Sequence, residues 1–243
     1  MMASRSRQNT VPASGAPAPA GDTRERVLAA AMQVFAERGF DGATLREITA
    51  MAGANIAAVN YYFRSKDELI RHVLDVYVRP IMVSRLEALD ECERLAGERG
   101  PDLEAVVEAL VLPMVYLSRD QRGGRALIRL LLQSRALPRD ATRSFTYQTF
   151  DPILHRFADA IGRAAPALGR EDIYWRIDFA VGAMMQILTD SDSGSRRLAK
   201  LSGGLCDTDD NDAIAAQLVA FIVGGFQAPH AGGQRPKRRL DRG

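Results

Sequence analysis

The sequence lacks the features that mark membrane, secreted and disulfide-rich proteins. Only two of its 243 residues are cysteines, and Cys92 and Cys206 are far apart without metal-ligand spacing. We therefore expect reduced thiols in a cytoplasmic protein. No uninterrupted apolar run reaches the length of a membrane span, and residues 1–21 lack the apolar core of a signal peptide.

Catalytic signatures are equally scarce. The three histidines are widely separated, and the sequence shows no Ser–His–Asp pattern, phosphate-binding loop or metal motif. The glycine pairs at 123–124 and 203–204 are too sparse to hold a nucleotide. We therefore expect a protein that is not an enzyme and that needs no cofactor or metal.

The most informative residues that are present lie between positions 44 and 69, where two helix-start signals occur. Thr44 is followed three residues later by Glu47, and Ser65 is followed three residues later by Glu68. In such a capping box the hydroxyl accepts a free backbone N–H of the first turn, and the carboxylate accepts the N–H of the cap itself. Helices are therefore predicted to begin just after Thr44 and just after Ser65.

A tight turn is predicted between these two starts. Gly53 tolerates the left-handed conformation that ends a helix, and Asn55 is a good N-cap for the next one. The pattern predicts helices over 45–52 and 56–62, preceded by a longer helix over 22–39. All three have apolar positions at helical spacing, so they can enclose one small core. Two short helices joined by a glycine-containing turn and braced by a third form a helix-turn-helix unit.

The outward face of this unit carries residues that suit DNA. In a helix-turn-helix unit the second short helix enters the major groove, and the first crosses the backbone. Small side chains allow close approach to base edges, an asparagine amide pairs with adenine, and hydroxyl and ammonium groups reach phosphates. The predicted DNA-binding residues are Thr44, Arg46, Asn55, Ala57, Ala58, Asn60, Tyr61, Tyr62 and Lys66. One of the two adjacent tyrosines is also expected to be a half-buried packing residue.

The stretch AAMQVFAERGFDGATLREITAMAGANIAAVNYYFRSKDEL, within residues 23–74, resembles the N-terminal domain of the TetR family of bacterial one-component regulators. That family often has Tyr at the position of Asn60 and His at the position of Tyr62, so we expect the preferred operator to differ. The VNYYF form and the RPI and RLEALDECE segments that follow are similar to a branch that includes fatty-acid-responsive regulators.

The formal net charge of +2 hides an uneven distribution. Residues 1–21 carry +2 and residues 227–243 carry +4, which leaves −4 for the body between them. Both ends are predicted to be disordered, and they either hold phosphates non-specifically or merely keep the protein soluble. Because the body is mildly acidic, DNA affinity must come from individually placed residues.

An all-α fold is predicted, because the chain beyond residue 69 has helical periodicity throughout and no alternating strand pattern. We expect about nine helices, which form a helix-turn-helix DNA-binding domain over 22–68 and an effector-binding and dimerisation domain over 69–226. Pro80 and Pro152 are expected to bend or break the fourth and seventh helices. The stretch 191–212, rich in Ser, Gly and Asp, is predicted to be a mobile loop.

A pocket for a small apolar effector is predicted among the middle helices. Methionine and aromatic side chains suit such a ligand. The candidate lining residues are Met114, Leu117, Leu131, Phe145, Phe150, Trp175, Phe179 and Met185. The alternative for most of this set is a place in the plain hydrophobic core.

The last two long helices carry apolar stripes with small neighbours, which permit close helix packing. The candidate dimer residues are Ile177, Val181, Met184, Leu188, Ile214, Leu218, Phe221 and Ile222. The alternative is that these stripes close the core of the single chain. The family resemblance favours the first interpretation, because TetR-like regulators dimerise through their last two long helices. A two-fold dimer also places two recognition helices about one DNA turn apart.

The function predicted from these features is that of a homodimeric, ligand-responsive transcriptional regulator. It is expected to repress from a near-palindromic double-stranded DNA operator and to be released by a small apolar effector, such as a fatty acid or another acyl compound. Effector binding is expected to move the fourth helix, which links the two domains. The alternative is a helical ligand-binding or adaptor module without sequence-specific DNA binding.

Overall fold

Helices account for all the regular structure in the part of the chain that the structure describes. This computed structural model describes residues 20–117, 123–136, 140–190 and 196–229. The helices are α1 (Ala20–Gly42), α2 (Leu45–Ala52), α3 (Ile56–Phe63), α4 (Lys66–Ala96), α5 (Leu103–Leu117), α6 (Gly124–Ala136), α7 (Asp140–Phe145), α8 (Asp151–Ala164), α9 (Arg170–Asp190), α10 (Arg197–Leu201) and α11 (Asn211–Gln227). A 3₁₀ turn follows α4, and a π turn joins α7 to α8. The predicted all-α class is confirmed.

The first three helices end close to their predicted positions. Gly39, with φ 75° and ψ 167°, interrupts α1 where the first helix was expected to end. Helix α2 has the predicted bounds, and α3 extends one residue further, to Phe63. These agreements arise because the end signals are local hydrogen bonds and glycine conformations.

Of the bend or break predicted at Pro80, the structure excludes the break. Helix α4 continues through it from Lys66 to Ala96. Proline removes one N–H, and the carbonyl that loses its donor belongs to Val76. Val76 and Pro80 are both exposed, so water can take the place of that donor.

The predicted seventh helix is divided in the structure. Helix α7 ends at Phe145, the π turn Thr146–Phe150 follows, and α8 begins at Asp151. Pro152 therefore lies in the first turn of α8 and not in the interior of a long helix, where it was predicted. The first turn is where a missing N–H has no intrahelical partner to lose. This division and the short helix α10 account for two helices beyond the nine predicted.

Helix α10 lies inside the predicted mobile loop, which is therefore not wholly irregular. The predicted disordered arm and tail fall almost entirely outside the described residues, as do residues 191–195 of the loop. None of the helices described is both long and apolar enough to cross a membrane.

One continuous hydrophobic core extends from α1 to α11. Helix α1 packs against α2, α4 and α6, and α5 packs against α4 and α11. Two elements of the C-terminal body, α4 and α6, therefore contact the helix that supports α2 and α3.

Candidate nucleic-acid interface

The start of α2 is held by the predicted capping box. The backbone N–H of Glu47 donates to Thr44 Oγ1 over 3.2 Å, and the backbone N–H of Thr44 donates to Glu47 Oε2 over 3.0 Å. Hydrogen bonds from the Thr44 hydroxyl, and then from its backbone, hold the pKa of the Glu47 carboxyl below its ordinary value. The carboxylate stays charged near the positive end of the helix dipole, which favours a fixed helix start.

The turn between α2 and α3 also has the expected chemistry. Gly53 adopts φ 60° and ψ 36°, the left-handed conformation that ends α2. Asn55 is extended, and its Oδ1 accepts the backbone N–H of Ala58 over 2.8 Å. The direction of α3 is therefore set by a left-handed glycine and an asparagine cap two residues apart.

Helix α3 has one buried face and one exposed face. Val59 and Phe63 are fully buried, whereas Tyr61 is 80 % exposed. Tyr62 is the half-buried tyrosine, and it packs edge-on against Tyr61 with 5.1 Å between ring centroids. Of the predicted DNA-binding residues, Thr44, Arg46, Asn55, Ala57, Asn60 and Tyr61 are exposed, and Ala58, Tyr62 and Lys66 are half-buried.

Lys66 has a structural role that sequence reasoning did not anticipate. Its Nζ donates to the carbonyl of Ala43 over 2.6 Å and to that of Asp41 over 3.4 Å. The first turn of α4 is thereby tied to the segment that enters α2. The predicted phosphate contact of Lys66 stays a prediction.

Arg64 is a candidate phosphate ligand that sequence reasoning missed. It ends α3 with a positive φ of 56°, and its N–H donates to the carbonyl of Asn60 over 3.2 Å. Its side chain is exposed, and guanidinium groups commonly contact phosphates. A basic residue directly before the Ser65 cap is the sequence signal that identifies it.

The predicted effector residues do not share one location. Met114, Leu131, Phe145 and Met185 are buried, and Leu117 and Phe150 are half-buried. Trp175 and Phe179 are 58 % and 62 % exposed, with 5.8 Å between their ring centroids. Both point away from the core of the chain, so the prediction that they line an internal pocket is wrong.

A cavity of about 710 Å³ lies between α4 and α5. Leu117 is its one lining residue from the predicted set. The other lining residues are Pro80, Ile81, Ser84, Ala88, Cys92, Ala105, Glu108, Ala109, Leu112, Pro113 and Tyr116. This volume is in the range of sites for small organic ligands.

Most of the predicted dimer residues close the core of the chain itself. Ile177, Met184, Leu188, Ile214, Leu218 and Ile222 are buried, and Val181 is half-buried. Only Phe221 of that set is well exposed, at 68 %. The predicted residues lie on the inward face of α9 and α11, because both helices are apolar on two sides and the sequence pattern does not distinguish these sides. The outward side of these helices carries Trp175, Phe179 and Phe221.

Together, the capped three-helix unit and the helical body define a helix-turn-helix protein with an all-helical C-terminal domain. Residues 27–73 match the family model described as bacterial regulatory proteins, tetR family. Residues 108–225 match the model described as tetracyclin repressor-like, C-terminal domain. The chain belongs to the TetR family.

Individual relatives agree with this assignment. The chain is 36 % identical over 110 residues to the HTH-type transcriptional dual regulator CecR of Shigella flexneri, covering 45 % of this chain and 44 % of that protein. It is 40 % identical over 53 residues to the repressor NicS of Pseudomonas putida, covering 22 % and 25 %. These matches span less than half the length of either relative.

Solved structures show the same fold. A TetR-like transcriptional regulator from Rhodococcus sp. RHA1 has a TM-score of 0.59 and 19 % identity, covering 85 % of this chain and 97 % of that one. A second Rhodococcus regulator has a TM-score of 0.54 and 22 % identity, covering 84 % and 95 %.

Proposed function

We propose that this chain is a transcriptional repressor that binds a near-palindromic DNA operator as a homodimer and is released by a small apolar effector. The observation that carries the DNA-binding part is the outward face of α3. Its buried residues anchor it in the core, the Asn55 cap sets its start, and Asn60 and Tyr61 face solvent. This is the arrangement that a recognition helix needs for base and phosphate contacts.

Helix α4 supports the proposed response to an effector. At its start, Lys66 holds the segment that enters α2. Further along, Ile81, Ser84 and Ala88 line the cavity shared with α5. A ligand in that cavity that binds two positions of α4 with different affinity shifts the equilibrium between them. The mostly apolar lining suits an acyl chain.

A gel-shift experiment with DNA from upstream of the gene itself tests the DNA-binding part. The folded dimer is first confirmed by light scattering, and binding is then measured at low salt, because phosphate contacts weaken as salt rises. We expect a retarded complex at a near-palindromic site. A folded dimer that produces no retarded complex would favour the adaptor alternative.

Two variants locate the recognition surface. Asn60→Ala and Tyr61→Ala are each expected to weaken operator binding, roughly tenfold for the loss of a base contact at Asn60. Tyr147→Ala is the matched control, because Tyr147 is an exposed tyrosine in the π turn, outside the helix-turn-helix unit. Full affinity in both α3 variants would place the recognition surface elsewhere.

A further inference from the structure

Arg85, in the middle of α4, is buried, and no charged partner contacts it among the residues that the structure describes. Its side chain is 4 % exposed, and Ile81, Met82 and Leu89 beside it on the same helix are also buried. Its Nη2 donates to the sulfur of Met184 on α9 over 3.4 Å. Within the described residues its Nε is buried and has no hydrogen-bond partner, and burial alone, without a nearby carboxylate, shifts its pKa.

The guanidinium is nevertheless charged. Burial lowers the pKa of Arg85 to about 10, which is still well above neutral pH. Buried charges in proteins are normally paired, and a thioether is only a weak acceptor. The core between α4 and α9 therefore holds a positive charge whose hydrogen-bonding capacity is only partly used.

We propose that Arg85 anchors the carboxylate of an amphipathic anionic ligand whose apolar part lies in the cavity between α4 and α5, which Ile81 and Ser84 line next to Arg85 on α4. Nε and Nη2 lie on one edge of the guanidinium and present two parallel N–H groups, which match the two oxygens of a carboxylate. Among the described residues, Nε has no partner and Nη2 donates to Met184. A single guanidinium also matches a monoanion better than a doubly charged phosphate.

Met184 is the residue that must move for a ligand carboxylate to reach Arg85. The side chain of Met184 has three rotatable bonds and adapts its shape readily. Rotation of Met184 away from Arg85 would release Nη2 for a ligand, and the buried Met185 lies next to it. The inference rests on the proposed function in one respect, since this ligand would be the effector that acts on α4.

The test uses the full chain, calorimetry and thermal melting, with decanoate below its micelle concentration as the probe and decan-1-ol as the uncharged comparison. We expect decanoate to bind and to raise the Tm, and decan-1-ol to bind far more weakly. Arg85→Met, and Arg85→Lys, which keeps the charge but not the paired donors, are expected to weaken decanoate binding about tenfold or more. Arg79→Met is the matched control, because Arg79 is an exposed arginine on α4 paired with Asp75.

The melting temperature of the ligand-free variants shows whether Arg85 serves packing alone or ligand binding. Because the buried charge is unpaired, Arg85→Met is expected to melt at or above the temperature of the natural chain. A clear fall in Tm would show that Arg85 stabilises the fold and would overturn the proposal. Equal decanoate affinity in Arg85→Met, equal binding of decan-1-ol, equal loss in Arg79→Met, or no binding to the natural chain would each overturn it too.

These measurements need no DNA, so their failure is distinct from failure of the regulator proposal. If decanoate binds through Arg85 but the chain never retards DNA, the anion site stands and the regulator proposal falls. If DNA binds and decanoate does not, the reverse holds.

Discussion

At the level of single residues, Asn55 shows how one side chain places a functional helix. Its Oδ1 accepts the N–H of Ala58, one of the backbone donors that α3 cannot satisfy internally. Asn55→Ala is expected to lower the free energy of unfolding by about 1 kcal/mol. Denaturant unfolding measures this loss. Asn55→Asp keeps the cap and should retain the stability, so an equal loss in both variants would contradict the capping role.

Residues differ in how well the sequence predicts their roles. Thr44 and Asn55 were predicted correctly as caps, because their partners lie three residues away along the chain. The partner of Lys66 is the carbonyl of Ala43, and that of Arg85 is Met184. Such contacts join distant segments, and no local pattern encodes them.

At the level of elements, the contact between α1 and α6 is a second link between the helix-turn-helix unit and the body. Gln133 of α6 donates through Nε2 to the carbonyl of Ala36 in α1 over 3.1 Å. Sequence reasoning assigned this link to α4 alone. Helical periodicity shows which face of α6 is apolar, but it does not show which helix that face meets.

The start of α6 yields a prediction about this contact. Gly123 has φ +120°, which other residues adopt only with strain, and a Cβ there would overlap the terminal methyl of Met32 in α1. Because a methionine end moves easily, backbone strain is the main cost, and Gly123→Ala should lower stability by roughly 1–3 kcal/mol. Thermal melting measures the change.

Gly162→Ala serves as the control for that variant. Gly162 lies inside α8, where a Cβ makes an ordinary 3.6 Å contact with Ile173, so alanine should be neutral or stabilising by up to about 1 kcal/mol. If Met32→Ala restored the stability of Gly123→Ala, the cost would be steric and the strain argument would be wrong.

At the level of the whole molecule, the outward side of α9 and α11 is where we expect a second copy to pack. Trp175, Phe179 and Phe221 are large apolar side chains that this chain leaves exposed, and clustered exposed apolar residues mark interaction surfaces. Phe221→Asp is expected to convert the dimer to a monomer, since it buries a charge at a symmetric interface. Light scattering coupled to gel filtration measures the mass.

The control places the same charge on another exposed residue. Leu95, near the end of α4, is 68 % exposed, as Phe221 is, and Leu95→Asp should remain dimeric. A dimer that persists in Phe221→Asp would show that the two copies meet through another surface. Loss of the dimer in both variants would point to a general effect of the added charge.

The sequence alone determined the helical class, the caps and turn of the helix-turn-helix unit, and the outward residues of α3. Those features depend on hydrogen bonds and periodicities within a few residues, which are visible in the order of the amino acids. The tertiary structure decided which apolar face of α9 and α11 is buried, where the cavity lies, and that Arg85 is buried against Met184 and contacts no carboxylate of the described segments. Each of these features depends on which helices, distant in the sequence, pack against each other. Where a helix is apolar on two faces, the sequence pattern does not show which of the two faces is buried.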